Sequence, residues 1–179
     1  MKELSLHILD IAKNSVKANA SLIEIIIDED IENNLLSIDI NDNGCGMSRE
    51  FLEKVKDPFS TTRTTRKVGM GISLFEAAAN QCGGVLDISS EEGVGTKIHV
   101  TFIYDSIDRA PVGDMPGTMQ TLISGSPEID FLYRHTISGK EFVLDTKEIR
   151  KVLGDVSLDT PEVSLWIYDF VKDGLDEIC

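Results

Sequence analysis

Asp42-Asn43-Gly44-Cys45-Gly46-Met47 is the stretch on which the fold turns. A turn-forming Asp-Asn and two closely spaced glycines break off a strand pattern, and Ser48 with Phe51, Leu52 and Val55 then opens a short capped helix. Upstream, Ser21–Asp30 and Leu35–Asn41 are β-branched and apolar or alternating, with Glu32-Asn33-Asn34 between them as a hairpin turn. Before that hairpin, Leu4, Ile8, Ile11, Ala12 and Ser15/Val16 recur at helical spacing and predict an amphipathic helix to about Ala18. His7, Asp10, Asn14 and Lys17 step by three and four, which lays them along one polar stripe of that helix.

Downstream, Lys56–Val68 is irregular, and Ser60-Thr61-Thr62-Arg63-Thr64-Thr65-Arg66-Lys67 is hydroxyl-rich and basic in an otherwise acidic chain. It runs into Gly69-Met70-Gly71, read as a glycine turn before a helix over Ile72–Gln81 that ends at Gly83-Gly84. Such a turn lets backbone N–H groups approach a phosphate at a helix N-terminus. Val85–Ser89 and Thr96–Tyr104 follow as strands around a turn at Glu91–Gly95.

Composition narrows the classes. A chain of 179 residues, 41% hydrophobic and 27% charged, is globular and holds one compact unit with or without an appendage. Its net charge of −14 is spread over both halves and repels phosphate backbones and anionic lipid, so neither nucleic acid nor a membrane is expected as partner. Cys45, Cys82 and Cys179 show no disulfide or zinc spacing, and no leader or spanning segment is recognisable, which sets the expectation of a cytoplasmic protein.

Four motifs in order resemble those of the Bergerat-fold ATPases, the histidine kinase-like superfamily shared by DNA gyrase, sensor histidine kinases, the large heat-shock chaperone, mismatch-repair ATPases and anti-sigma serine kinases. They are Asp10-Ile11-Ala12-Lys13-Asn14, Asp42–Met47, the lid from Pro58-Phe59-Ser60-Thr61-Thr62 through Gly69-Met70-Gly71, and Gly93-Val94-Gly95-Thr96. The resemblance covers residues 4 to about 104. It implies an α+β two-layer sandwich, with helices on one face of a mixed sheet, that takes ATP and Mg2+.

Position by position, the resemblance implies that Asn14 holds the metal and that Asp42 accepts from the adenine amino group. Gly44, Gly46 and Met47 would border the base, and Thr96 would join its water network. Gly69, Met70 and Gly71 would cradle phosphates, and Thr61, Thr62, Arg63, Arg66 and Lys67 would form the lid. Asp10 stands where hydrolysing members carry glutamate as the base that activates water; it is one methylene shorter, so slow turnover or none is expected. Only a few residues precede the first motif, so a self-contained histidine kinase with its own phosphoacceptor hairpin is not expected.

The expected organisation is an ATPase domain over 1–104, a linker over 105–117, and a C-terminal α/β extension over 118–179 packing on the core. Within the extension, Ile129–Thr136 and Glu141–Asp145 read as a hairpin around Ser138-Gly139, and Thr146–Leu153 and Pro161–Ile178 as helices. The last has Val163, Leu165, Trp166, Phe170, Val171 and Leu175 as its apolar stripe, although the aromatics could also form a docking site. The function expected is an ATP-dependent conformational switch or slow ATPase that regulates a protein partner. The alternative is a protein kinase acting in trans; a DNA-repair-type ATPase ranks below both. Small proteins of similar sequence accompany iron-hydrogenase components, which makes a hydrogenase-associated redox complex a candidate partner; a homodimer is also allowed.

Overall fold

A computed structural model describes residues 2–56 and 66–179, with 66–70 described as backbone only. The first helix, α1 (Leu4–Lys17), buries Leu4, Ile8, Ile11, Ala12 and Ser15, and a left-handed Asn19 (φ 61°) turns the chain out of it. Strands β1 (Leu22–Asp30) and β2 (Leu35–Asp42) then form an antiparallel hairpin in which Ile25 faces Ile40 and Ile27 faces Ile38. Their alternate residues Ile23, Ile25, Ile27, Leu36, Ile38 and Ile40 are all buried, so one face of the hairpin is core.

Helices α2 (Arg49–Lys56) and α3 (Arg66–Gln81) follow, and β3 (Leu86–Glu91) and β4 (Gly95–Ile103) complete the first part of the sheet. The glycine turn expected before α3 lies inside it instead: the helix starts at Arg66 and takes in Gly69, Met70 and Gly71. Glycine tolerates a helix interior at about 1 kcal/mol each, so the pattern signals flexibility of backbone contact and does not mark the boundary.

Beyond Tyr104 the stretch expected as linker ends in a helix, α4 (Met115–Gly125). Met115-Pro116-Gly117 reads as a breaker, yet proline is at home in the first turn, and the Asp114 carboxylate caps that turn by accepting from the Gly117 N–H at 2.9 Å. The preceding loop is tied to the start of α1, with Leu4 N–H donating to the Pro111 carbonyl and Ser5 N–H to that of Val112. Strands β5 (Asp130–Ile137) and β6 (Lys140–Asp145) and helices α5 (Thr146–Leu153) and α6 (Pro161–Ile178) complete the chain close to the predicted bounds.

All six strands make one sheet, ordered β3-β4-β2-β1-β5-β6. β5 lies parallel to β1, with Ile25 beside Tyr133, while every other pairing is antiparallel. The helices cover one face, where α4 packs between α1 and α6. The opposite face carries half-exposed or exposed Glu24, Asp28, Asp39, Asn41, Lys97 and His99. The architecture is thus an α+β two-layer sandwich on a mixed sheet. Among the described residues, no helix is long and apolar enough to cross a membrane.

Candidate functional site

The end of β2 and the C-terminal half of α1 meet at a single carboxylate. Asp42 is the last residue of β2, and its Oδ2 accepts from the Ser15 hydroxyl on α1 at 2.5 Å while its Oδ1 accepts from the Gly44 N–H at 2.9 Å. Each oxygen keeps a further lone pair, so the group is oriented without being saturated. Across the sheet ladder Asp42 stands opposite Thr96. Thr96 Oγ1 lies 2.8 Å from Ser90 Oγ, which also accepts from the Met47 N–H at 2.8 Å.

The backbone around this carboxylate is tight enough to demand glycine twice. A Cβ on Gly46 (φ +70°) would lie 2.1 Å from the Glu91 carbonyl oxygen, and one on Gly95 (φ +145°) would lie 2.0 Å from that of Asp42. Any side chain there would push the second and fourth motifs apart, and the left-handed φ of Gly46 adds strain for other residues. The same two loops are clipped together by Gly93 N–H donating to the Cys45 carbonyl at 2.7 Å, and Cys45 N–H in turn reaches the Ala18 carbonyl at the end of α1.

Between these elements lies a cleft of about 240 Å³. Ile11, Ala18, Met47, Phe51, Ile72 and Ile98 give it apolar walls, and Asn14, Asp42 and Thr96 place polar groups among them. An apolar slot with a few fixed polar atoms is what a flat heterocycle requires. A second recess of about 540 Å³ opens on the uncovered face beside Leu22, Glu24, Asn41 and Lys97. Neither Asp10 nor Asn14 lines it.

The structure brings Asn14, Asp42, Gly46, Met47 and Thr96 together around the cleft. Gly44 does not line the cleft; it packs behind Asp42 against Ala18, where a Cβ would come within 2.9 Å of the Ala18 methyl. Asp10 and Asn14 face the second turn of α3: a Cβ on Gly71 would fall 3.8 Å from Asn14 Nδ2 and 3.9 Å from Asp10 Cβ. Neither polar side chain has a hydrogen-bond partner among the described residues. Arg66, Lys67, Gly69 and Met70 are placed on α3 by backbone alone, and Thr61, Thr62 and Arg63 lie outside the described residues.

His7 departs from the rest of the polar stripe. It is 3% exposed and stacks on Phe75 of α3, with ring centroids 4.9 Å apart and planes 7° from parallel. Burial, then the nearby N-terminal charge, pushes its pKa below the usual 6.5, with Asp10 opposing. Its Nδ1 is buried without a partner among the described residues, and the ring serves as packing between α1 and α3.

Two residues that hold the site together, Ser15 and Ser90, were not singled out as site residues from the sequence. Ser15 carried a signal, a hydroxyl on the otherwise apolar face of Ile8, Ile11 and Ala12, where a buried polar atom needs a partner. Ser90 carried none, because its role depends on β3 pairing with β4. Cys45, within the second motif, is exposed.

Residues 2–105 match the model of the histidine kinase-, DNA gyrase B- and HSP90-like ATPase family. An uncharacterized sensor-like histidine kinase of Rhizobium meliloti is 32% identical over 103 residues, 54% of this chain and 20% of that protein. The sensor kinase CckA of Brucella abortus is 33% identical over 79 residues, 44% of this chain and 8% of that one. The chain therefore spans a fifth or less of these relatives. The Aquifex aeolicus MutL ATPase domain complexed with ADP superposes with a TM-score of 0.52 at 17% identity, over 86% of this chain and 69% of that one, a likeness of fold alone. Because the family match runs through all the elements that build the cleft, the chain belongs to the histidine kinase-, DNA gyrase B- and HSP90-like ATPases, and its first part is a histidine kinase-like ATP-binding domain homologous to sensor kinases.

Proposed function

We propose that the chain binds Mg-ATP in this cleft and works as a nucleotide-dependent conformational switch, or slow ATPase, acting on a protein partner. The observation that carries the reading is the Asp42 carboxylate, held by Ser15 and Gly44 at the floor of an apolar slot with lone pairs to spare. Such a group accepts from the adenine amino group and rejects guanine, which presents a carbonyl at that position. Thr96, held by Ser90, positions a water beside the base. Asn14 offers a hard oxygen ligand, and because it stands alone, the other ligands of a magnesium ion would be phosphate and water. The metal would supply charge neutralisation at the phosphates.

Asp10, one turn before Asn14 on the same face, is the acceptor for a water proton. Its short side chain argues for slow chemistry. Residues 60–68 form the lid, with Arg63, Arg66 and Lys67 as the cations for the terminal phosphate. Lid closure would favour one conformation only to the extent that ATP binds it more tightly than the other.

Calorimetric titration with ATP, ADP and GTP, with and without magnesium, tests the site. Adenine nucleotides should bind and GTP should not, whereas equal binding of GTP would remove Asp42 from the base. Limited proteolysis near Arg63 and Arg66 should slow with a non-hydrolysable ATP analogue; indifference to the analogue would remove the switch. The second reading, phosphoryl transfer in trans, is favoured by the sensor-kinase relatives. ADP release by wild type and by Asp10→Asn separates the two: turnover that depends on Asp10 supports the switch ATPase, and tight binding without turnover supports a kinase or sensor. A hydrogenase-associated complex is the candidate partner to offer in both assays.

A further inference from the structure

Helix α6 is amphipathic in a way that leaves one face without a neighbour. Val163, Ile167, Val171 and Ile178 are buried against the core, while Leu165, Trp166 and Phe170 are 63%, 49% and 37% exposed. Trp166 and Phe170, one turn apart, stack at 4.9 Å with their planes 9° from parallel, and Phe170 leans on the buried Phe142 ring at 5.3 Å. The pair is a ridge rooted in the core, so its geometry is set before anything binds and little side-chain freedom is lost on contact. Rigid aromatic anchors of this kind are enriched at interface hot spots.

The ridge parts two grooves. One, about 470 Å³ between α5 and α6, has walls of Ile149, Val152, Leu153, Val163 and Trp166. The other, about 430 Å³ between α6 and β6, has Phe142, Val143 and Phe170 beneath Glu141, Asp169, Asp173 and Glu177. β6 is the last strand of the sheet and has a neighbour on one side only, so its outer edge keeps backbone groups open to an added extended segment.

Charge selects the occupant. Along α6 the acids Glu162, Asp169, Asp173, Asp176 and Glu177 stand against Lys172 alone, and the chain as a whole carries −14. A second copy would set this acidic face against another acidic surface, and anionic lipid or nucleic acid would be repelled in the same way. A cationic segment is attracted.

We propose that the Trp166–Phe170 ridge and its two grooves are a docking site for an extended basic segment of a protein partner. An aliphatic or aromatic side chain of that segment enters the α5–α6 groove, and its Lys or Arg side chains lie over Asp169, Asp173 and Glu177, while Glu141 is already paired with Arg134 at 2.8 Å. This surface is separate from the nucleotide cleft, and the inference does not rest on what the cleft binds.

The test is selection of a displayed library of random peptides on the full chain, followed by fluorescence anisotropy of the enriched peptides at low and moderate salt. Peptides combining Lys or Arg with a large apolar residue should be recovered, with affinity that falls as salt rises. Trp166→Ala should weaken them roughly tenfold or more. The double variant Asp169→Lys, Asp173→Lys should also weaken them and flatten the salt dependence. Circular dichroism checks the fold of each variant, and the lysine pair, at exposed positions, decides alone should Trp166→Ala not fold. Recovery of no peptides or of acidic ones, or affinity unchanged in the lysine pair, would overturn the site. A dimer in sedimentation that Trp166→Ala dissolves would assign the ridge to a second copy instead.

Discussion

Two carboxylates at opposite ends of the β1–β2 hairpin show how the same group serves opposite ends. Asp42, at one end, is half-buried, takes hydrogen bonds from Ser15 and Gly44, and faces a cleft. Glu29, at the other, is buried: its Oε2 lies 2.5 Å from His135 Nε2, and Oε1 accepts from the Tyr104 hydroxyl at 3.3 Å. Burial above all, then the Glu29 charge and that of Cys179, holds the Tyr133 phenol well above its usual 10, so it keeps its proton and donates to His135 Nδ1 at 2.6 Å. That leaves the imidazole Nε2–H to donate to Glu29. One carboxylate is oriented with spare acceptor capacity and suits a ligand; the other is closed in by partners from β5 and by Tyr104, and joins the C-terminal strands to β1.

The largest effect should come from breaking the closed end. His135→Ala removes the imidazole donor from the buried Glu29 carboxylate, which keeps the Tyr104 hydroxyl, and empties the space the ring filled, so it should destabilise the chain by about 3–5 kcal/mol in urea unfolding. A loss below about 1 kcal/mol would mean that water replaces the imidazole. At the open end, Asp42→Asn should lower ATP affinity roughly ten- to hundredfold, the worth of a hydrogen bond to a charged acceptor, while the melting temperature changes little. A collapse of stability would instead make Asp42 a structural group like Glu29.

Asn14→Ala sharpens the comparison within the cleft. Its effect on ATP binding should be smaller than that of Asp42→Asn and should vanish when magnesium is chelated; an equal loss without the metal would reassign Asn14 to packing. The smallest effect concerns His7. Its folded pKa is lowered, so the unfolded chain takes up a proton more readily, and its contribution to stability is complete above about pH 6.5 and declines as the pH falls toward the folded value. His7→Phe, which keeps the stack on Phe75, should flatten the dependence of melting temperature on pH in that range. A slope identical to wild type would show that His7 is protonated without penalty.

Much of the cleft was legible because its chemistry lies in short contiguous stretches. Asp42, Gly44 and Gly46 share one turn, and Asp10 and Asn14 share one helical face, so the motifs could be matched to the family they resemble, and it was that resemblance that assigned them to one site. The strand hairpins were legible for the same reason, since alternation and turn residues act within a few positions. Ser90 was not, because its partners Met47, Gly95 and Thr96 come from two separate stretches of the chain, and the start of α3 was not, because glycines inside a helix look like glycines before one.

The C-terminal part shows the other limit. Its strands and its last two helices were recognisable, but α4 was hidden by Pro116 and Gly117, whose meaning reverses once Asp114 caps the turn. The apolar residues of α6 span more than one face, so periodicity put Val163, Leu165, Trp166, Phe170 and Val171 on one stripe and left the aromatics open between core and docking site. Packing against α4 and β6 buried Val163, Ile167 and Val171 and left Leu165, Trp166 and Phe170 outside.

The sequence by itself determined the four motifs and, through the family they resemble, the class of fold, and it named Asn14, Asp42, Gly46, Met47 and Thr96, which meet at the cleft, because each motif is a short contiguous stretch. The tertiary structure alone decided that β5 enters the same sheet parallel to β1, that His7 is buried under Phe75, and that Trp166 faces outward. Those outcomes depend on which distant surfaces bury the most apolar area together, and that is a property of the whole chain and not of any segment of it.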